Sequence, residues 1–454
     1  VIIDALLALV ALASLPLLEV AVAADGQLVS TLAVVMFIAA SSALLVRRIR
    51  LSSVVVVVLL VSLAFSSLLP TPLALIVQLA AVIIPFVLWG IRFGVRGPTR
   101  WVVLAVVVVL AVWTLLLLHP NVPDFITGLE GWRKSVMAIV GLVLGCAVVP
   151  RRPTEDAVIS VLVVALGVSI VAHLWLPGIE DMVSRDAAVY TGEFEGSERL
   201  QGVFAGPFHI AQAAVLVIGW AGVRFRSRPL LAAVAAVVGL VALGLASVRT
   251  SFIALAVVVV VLVLVIPLSR RARWIAVASI TVVGAASVAA ASLGLLGSAA
   301  ASLFSVTTDG RFLNRFPGYA DALEALRQSP LVGWGAGSAG DTLGPQFLPE
   351  FFHVTSHNIL LKIAVEGGLV GIAAWVFLAV AIWRTVGWST GAGRVALVSL
   401  IGLAVFGVVG SSLEALPVTY FLFVMVGLAC SNYRPFRRAS SARAISVSQG
   451  TVES

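Results

Sequence analysis

Residues 229–269 form one apolar run of 41 residues. As a single helix rising about 1.5 Å per residue it would extend about 60 Å, twice the roughly 30 Å hydrocarbon thickness of a bilayer. The run must therefore fold back on itself, and Ser247-Val248-Arg249-Thr250 is the one polar stretch where it can turn. The rest of the chain has the same character. Of its 454 residues 61% are hydrophobic and 11% charged, and the mean hydropathy is +1.14. Soluble domains carry about 25% charged residues, so the main solvent here is lipid. Backbone groups in lipid must be paired within the protein, which leaves helices or closed barrels. The apolar stretches are long and do not alternate, so they read as helices.

About fourteen spans are expected, at 2–23, 28–46, 52–69, 72–91, 100–118, 133–149, 156–176, 207–223, 229–246, 250–267, 274–297, 357–382, 393–411 and 415–431. Residues 2–23 read as a first span rather than a cleavable leader. With the N-terminus placed in the cytoplasm, every inner loop is basic, and 20 of the 29 basic residues lie inside or in the tail, while 17 of the 21 acidic residues fall on the outer half. One missed or invented span would invert everything after it, so the positive-inside rule supports the count and puts both termini in the cytoplasm. The net charge of +8 is thus a topology signal and a contact with membrane lipids, and no nucleic-acid partner is expected. Heavy Ala, Val and Arg usage points to a high-GC bacterial gene and a bacterial plasma membrane. Cys146 and Cys430 lie near inner span ends, and no disulfide is expected there. The Ser/Arg-rich segment 432–454 reads as a disordered cytoplasmic tail.

Three outer segments are longer than turns: 119–132, 177–206 and 298–356, the last of 59 residues. Long loops are uncommon and usually functional or disordered. Within the last, Pro317 suits a first helical position. Phe316, Tyr319, Leu323 and Leu326 then recur at helical spacing, opposite Asp321, Glu324 and Arg327. This pattern predicts a short amphipathic helix on the outer surface, either at the membrane interface or capping the bundle.

All five histidines, His119, His173, His209, His353 and His357, fall at the outer face. His357 is the leading candidate for chemistry, since it stands where the long loop meets a span, with Thr355 or Ser356 expected to cap the helix. The positive end of a helix disfavours an imidazolium, and neutral imidazole can accept a proton as a general base. The plainer alternative is an interfacial anchor. Arg249, at the fold-back, breaks the positive-inside pattern. Membrane-edge arginines usually face a cavity or partner, and guanidinium suits phosphate; snorkelling to lipid is the alternative. Arg199, Arg311 and Arg315 are further outer arginines that loop salt bridges would also explain. Glu366, nine residues after His357, lies about 900° around the helix and so on its opposite face. It is expected to pair with another span, not to orient His357.

Two patterns are discounted. Gly335-Ala336-Gly337-Ser338-Ala339-Gly340 spells a dinucleotide fingerprint but follows no strand, and it reads as a tight turn. His353 and His357 have an i, i+4 spacing but lack the Glu of a zinc motif. No metal and no other cofactor is expected.

The segment Asp309-Gly310-Arg311, then Ser329-Pro330-Leu331-Val332-Gly333-Trp334-Gly335-Ala336-Gly337, then Ser356-His357-Asn358, Glu366-Gly367-Gly368 and Gly371, resembles the signature of the bacterial O-antigen ligase and polymerase family. Arg199-Leu200-Gln201-Gly202-Val203-Phe204 with Pro207, and Ser247-Val248-Arg249-Thr250, resemble two further elements of it. The resemblance runs from about 199 to 371. It implies a GT-C-like glycosyltransferase at the outer face of the plasma membrane. The implied donor is a glycan on undecaprenyl diphosphate, and the implied acceptor is a sugar. By the same resemblance His357 deprotonates the acceptor hydroxyl, Arg249 and Arg311 hold the diphosphate, and Arg199 assists. Preorganised cations are the means of stabilising such a leaving group where no Mg²⁺ serves.

The chain departs from the family at Pro207-Phe208-His209, where Asn usually follows Pro. That makes His209 a candidate second base, with Asn358 and Glu366 in supporting positions. Arg311 and Arg315 compete for one role, and fourteen spans exceed the usual dozen or so. The expected organisation is N-terminal transmembrane helices over 1–190, a ligase-like core over 191–431 that includes the outer loop 298–356, and the tail 432–454. The competing readings are a transporter and a non-catalytic scaffold of a polysaccharide assembly complex. Against a transporter stand the absence of an internal repeat and the scarcity of midplane charge.

Overall fold

The computed structural model describes residues 51–93, 99–148, 152–176, 178–179, 199–204, 206–271, 273–274, 277–278, 315–340, 354, 357–410 and 412–431. The spans expected at 2–23 and 28–46, most of 274–297, and the tail 432–454 lie outside them. Among the described residues the chain is all helical, and a lone bridge joins Ala339 to Val354.

The helices are α1 (Leu51–Ala64), α2 (Thr71–Phe93), α3 (Arg100–Leu116), α4 (Phe125–Val136), α5 (Val140–Ala147), α6 (Arg152–Trp175), α7 (Pro207–Arg224), α8 (Pro229–Ala246), α9 (Arg249–Val265), α10 (Arg315–Gln328), α11 (Ile359–Thr385), α12 (Gly391–Val409) and α13 (Leu416–Ser431). Stretches within α2, α6, α8, α11 and α12 are long and apolar enough to cross a membrane, and α1, α3, α9 and α13 contain shorter apolar helices. The long apolar run turns where its polar residues fall. Ser247 takes a left-handed conformation (φ 49°) as the C-cap of α8, and α9 starts two residues later.

One expected span is interrupted. Residues 133–149 do not form a single helix: α4 ends at Val136, a 3₁₀ turn covers Met137–Ile139, and α5 follows. The first part, α4, is amphipathic, with Asp124 as its N-cap accepting from the Ile126 and Thr127 amides at 2.9 Å each. These bonds hold the Asp124 carboxyl below the usual range, the Thr127 amide first among them.

The core centres on α13, which is apolar all round and buried along nearly its whole length, as expected of a helix surrounded by others. It crosses α5 backbone to backbone. A Cβ on Gly427 would collide with the Leu142 carbonyl and lie 2.9 Å from the Gly145 Cα. Gly141 and Gly145, spaced as GxxxG, likewise meet the α13 backbone at Tyr420 and Val424. In lipid, tight van der Waals packing of small residues replaces the hydrophobic drive between helices.

Hydrogen bonds sort the loops into two ends. At one, Glu155 on α6 accepts from Trp220 Nε1 at 2.8 Å and from Arg224 Nε at 2.6 Å, and Arg228 Nε pairs with Asp156 at 2.8 Å. At the other end meet the starts of α7 and α11, the α8–α9 turn and the finish of α12. Of the candidate site residues, Arg199, His209, Arg249, Arg315, His357 and Asn358 lie there.

Candidate functional site

Helix α11 is broken, and the break organises the site. Gly368 has φ 56° and ψ −152°, outside helical values. At such a break the helix's own ladder lapses, and buried amides and carbonyls need other partners. The segment after α10 supplies them. Trp334 N donates to the Val365 carbonyl at 2.8 Å and Gly335 N to the Glu366 carbonyl at 3.1 Å. In return Leu369 N donates to Pro330 O at 2.8 Å and Val370 N to Leu331 O at 3.1 Å. The approach admits no side chain: a Cβ on Gly368 would sit 2.6 Å from the Leu331 carbonyl carbon, and one on Gly333 would strike the Val365 and Glu366 carbonyls. The glycine-rich stretch is therefore a turn, as its sequence indicates. Its amides are committed, because Ala336 N also donates to Leu116 O at 3.4 Å and Gly340 N to Val354 O at 3.3 Å.

Below this splice lies a buried ionic cluster. Lys362 Nζ stands 2.8 Å from both Glu366 Oε1 and Glu414 Oε1 and donates to the Ala339 carbonyl at 2.6 Å. Glu366 also accepts from Trp113 Nε1 at 2.8 Å and Ser135 Oγ at 2.9 Å. Five segments meet here: α3, α4, the glycine loop, α11 and the turn before α13. Glu366 thus bonds to two other helices, as expected of it, while its cation Lys362 stands on its own helix. Sequence reasoning missed Lys362. The readable signal was the i, i+4 spacing of Lys362 and Glu366 on one apolar helix.

His357 and Asn358 sit at the start of α11. Helix α11 begins at Ile359 and its N-cap is Asn358, not Thr355 or Ser356. The Asn358 side chain accepts from the Leu360 and Leu361 amides at 2.8 and 3.2 Å. Its Nδ2 donates to the Val408 carbonyl at the end of α12 at 3.2 Å. The Tyr319 hydroxyl of α10 reaches the same carbonyl at 3.2 Å. His357 has φ 40°. This left-handed conformation costs a non-glycine residue about 1–2 kcal/mol, and such strain gathers at functional sites.

Helix α10 is the short helix expected in the long loop. It begins at Arg315, so Pro317 lies inside its first turn, where a missing amide does no harm. Ala322 and Ala325 are the buried residues, while Phe316 and Leu323 are 53% and 49% exposed. Ala322 and Ala325 face the bundle, Phe316 and Leu323 face outward, and Tyr319 and Leu326 lie half-buried between them.

The arginines occupy the same end. Leu200 N donates to the Leu245 carbonyl at 3.2 Å, which ties the segment of Arg199 to the last turn of α8. Arg249 is the first residue of α9, just past that turn. Val203 N donates to Ser169 Oγ at 3.1 Å, and Gly202 packs against Ser169 with φ 59°. His209 Nδ1 donates to the Phe204 carbonyl, so in the neutral ring Nε2 is the accepting nitrogen. Its neighbour Phe208 stacks edge-on against Phe406 of α12, with centroids 5.1 Å apart. Arg315 opens α10; Arg311 and His353 lie outside the described residues. His119, in the loop after α3, packs on Gly335 and accepts the Asn121 amide on Nδ1 at 3.3 Å. Burial holds its imidazole below the usual range. Among the described residues, no cluster of His, Cys, Asp and Glu is arranged to hold a metal ion.

No curated protein matches the chain. The family model described as O-antigen ligase matches residues 234–376, about a third of the sequence. That span holds Arg249, the loop spliced into α11, His357, Lys362, Glu366 and the break at Gly368, while Arg199, His209, Trp113, Ser135 and Glu414 lie outside it, so residues 234–376 are what this chain shares with the O-antigen ligase family.

Proposed function

We propose that the protein is a membrane glycosyltransferase of the outer face of the plasma membrane, acting in surface polysaccharide biosynthesis. It transfers or polymerises a glycan from an undecaprenyl-diphosphate-linked donor onto an acceptor sugar. The observation that carries this reading is the gathering of His357, Arg199, Arg249 and Arg315 at one end of the bundle, opposite the end where Arg224 and Arg228 meet Glu155 and Asp156. The positive-inside rule assigns the Arg224–Arg228 end to the cytoplasm, and both termini with it, so the candidate site faces outward.

In the mechanism, the neutral imidazole of His357 takes the proton of the acceptor hydroxyl, whose oxygen attacks the anomeric carbon of the donor sugar. The bond from that carbon to the diphosphate oxygen breaks, and the leaving diphosphate gains negative charge. Arg249, Arg199 and either Arg311 or Arg315 hold that charge, doing without a metal ion what fixed guanidinium groups do best. His209 is placed as a second acceptor of protons, while Asn358 and Glu366 support the first turn of α11.

The test is a deletion strain complemented with wild type or with His357→Ala, scored for surface polysaccharide and for lipid-linked intermediates. Loss of long glycan with accumulation of lipid-linked units, at normal expression and insertion, supports the His357 base. Short chains indicate a polymerase, and unattached full-length chains a ligase. Full restoration by His357→Ala removes the catalytic reading and favours a transporter, to which the buried Lys362–Glu366–Glu414 cluster would also belong, or a scaffold of an assembly complex.

A further inference from the structure

The connection between α12 and α13 is held at both ends by one turn of α11. Asn358 Nδ2 donates to the Val408 carbonyl at its start, at 3.2 Å, and Lys362 Nζ reaches Glu414 Oε1 at its finish, at 2.8 Å. The two gripping residues are themselves joined by the helix bond from Lys362 N to Asn358 O at 2.9 Å. Within the connection, Ser412 N bonds Gly410 O at 2.9 Å, and Thr419 Oγ1 donates to Ser412 O at 2.7 Å. The result is a closed ring: Asn358, Val408, Gly410, Ser412, Glu414, Lys362, Asn358. His357 is the next residue outward from it and carries the left-handed strain.

Lys362 is also the only cation the ring contains. It is buried, with 2% of its side chain exposed, between carboxylates 0% and 7% exposed. An ionisable group this deep in a membrane helix is expensive unless it is paired, and in such a place it marks function more often than mere stability. Lys362 additionally bonds the Ala339 carbonyl at 2.6 Å, and a Cβ on Gly340 would stand 2.8 Å from its Nζ. The ammonium therefore ties the glycine loop, the α12–α13 connection and the first turn of α11 together.

We infer that Lys362 is a positioning residue: through Glu414 and the Ala339 carbonyl it fixes the Asn358 cap against Val408 and so holds His357 in its left-handed, reactive orientation. Lys362 itself does not touch substrate. The inference rests on the proposed role of His357, but its structural half is measurable without any glycan transfer.

The experiment uses the full-length protein in detergent micelles or nanodiscs. Lys362→Met combined with Glu366→Gln and Glu414→Gln removes both ion pairs without leaving a buried unpaired carboxylate, and the amide at position 366 still accepts from Trp113 and Ser135. Each histidine is then followed by mass spectrometry for its rate of carbethoxylation, with His119, His173 and His209 as internal references. The expected result is a change of at least threefold in the rate at His357 alone, together with a tenfold or greater fall in kcat at nearly constant donor KM. An unchanged His357 rate overturns the inference. So does a kcat loss that merely follows a loss of folded protein, with all histidines shifting together. If the combined variant does not accumulate, Glu414→Gln alone, which keeps an acceptor for Lys362, should alter His357 labelling in the same direction by a smaller factor, and no change there overturns the inference equally. Altered His357 labelling in a protein whose wild type transfers no glycan would sink the proposed function and leave the positioning role standing.

Discussion

Gly368 of α11 lies against the backbone of Leu331, whose carbonyl accepts the Val370 amide at 3.1 Å. The loop completes the hydrogen bonding of a helix that stops and restarts inside the bundle. Gly368→Ala adds a Cβ 2.6 Å from backbone atoms at a φ of 56°. The expected loss is more than about 2 kcal/mol, combining a conformational penalty with a clash that no side-chain rotation relieves. Gly90→Ala, a helix-interior change with nothing within 4 Å, is the control and should be neutral or stabilising by about 0.5–1 kcal/mol. Thermal unfolding in detergent compares the two.

Trp113→Phe keeps the ring in the core and deletes the donor to Glu366 Oε2. Leaving a buried carboxylate oxygen one donor short should cost about 1–3 kcal/mol. Ser135→Ala removes the other external donor to Glu366 and should cost a similar amount. Because the two share one carboxylate, their effects should not add. A double variant whose loss equals the sum of the two single losses would show that the carboxylate does not couple them.

His357→Gly separates strain from chemistry. Glycine adopts φ 40° freely, so the variant should unfold at the same temperature as wild type or higher. It should still abolish glycan transfer, since the base is gone. A clear drop in stability would indicate that the imidazole serves mainly to hold the fold.

Arg249 distinguishes a diphosphate clamp from a lipid anchor. Arg249→Lys keeps the charge but loses the planar fork that grips phosphate bidentately, and a fall in kcat/KM of about tenfold or more is expected. An anchor that only snorkels to lipid headgroups would tolerate lysine without loss, as read in an assay with lipid-linked donor.

His119 supplies a pH signature. Burial depresses its protonation below the ordinary value of 6.5, so below that value the unfolded chain binds a proton that the folded one resists. Stability is then unaffected well above 6.5 and falls as pH drops through the folded value. His119→Gln should flatten the decline in unfolding temperature as the pH falls below the ordinary imidazole value of 6.5. Identical pH profiles for variant and wild type would assign the decline to other groups.

Hydropathy and charge alone determined much of this protein. The helical membrane class, the turn at Ser247 and the bounds of α8 all follow from the length of apolar runs measured against bilayer thickness. The pieces of the family signature were also legible. What the sequence did not disclose is why Ser329–Gly337 and Glu366–Gly368 belong together. Their link is a set of backbone hydrogen bonds across a helix break, and backbone bonds leave no mark in side-chain pattern beyond the glycines that permit them. Tertiary structure alone likewise made Asn358 the cap, turned Phe316 and Leu323 of α10 outward, and brought Lys362 on α11 to Glu414 beyond α12. In the sequence Lys362 is one lysine in an apolar run. Its meaning comes from the carboxylate that packing sets beside it, because a buried charge is tolerated only where the fold supplies its partner.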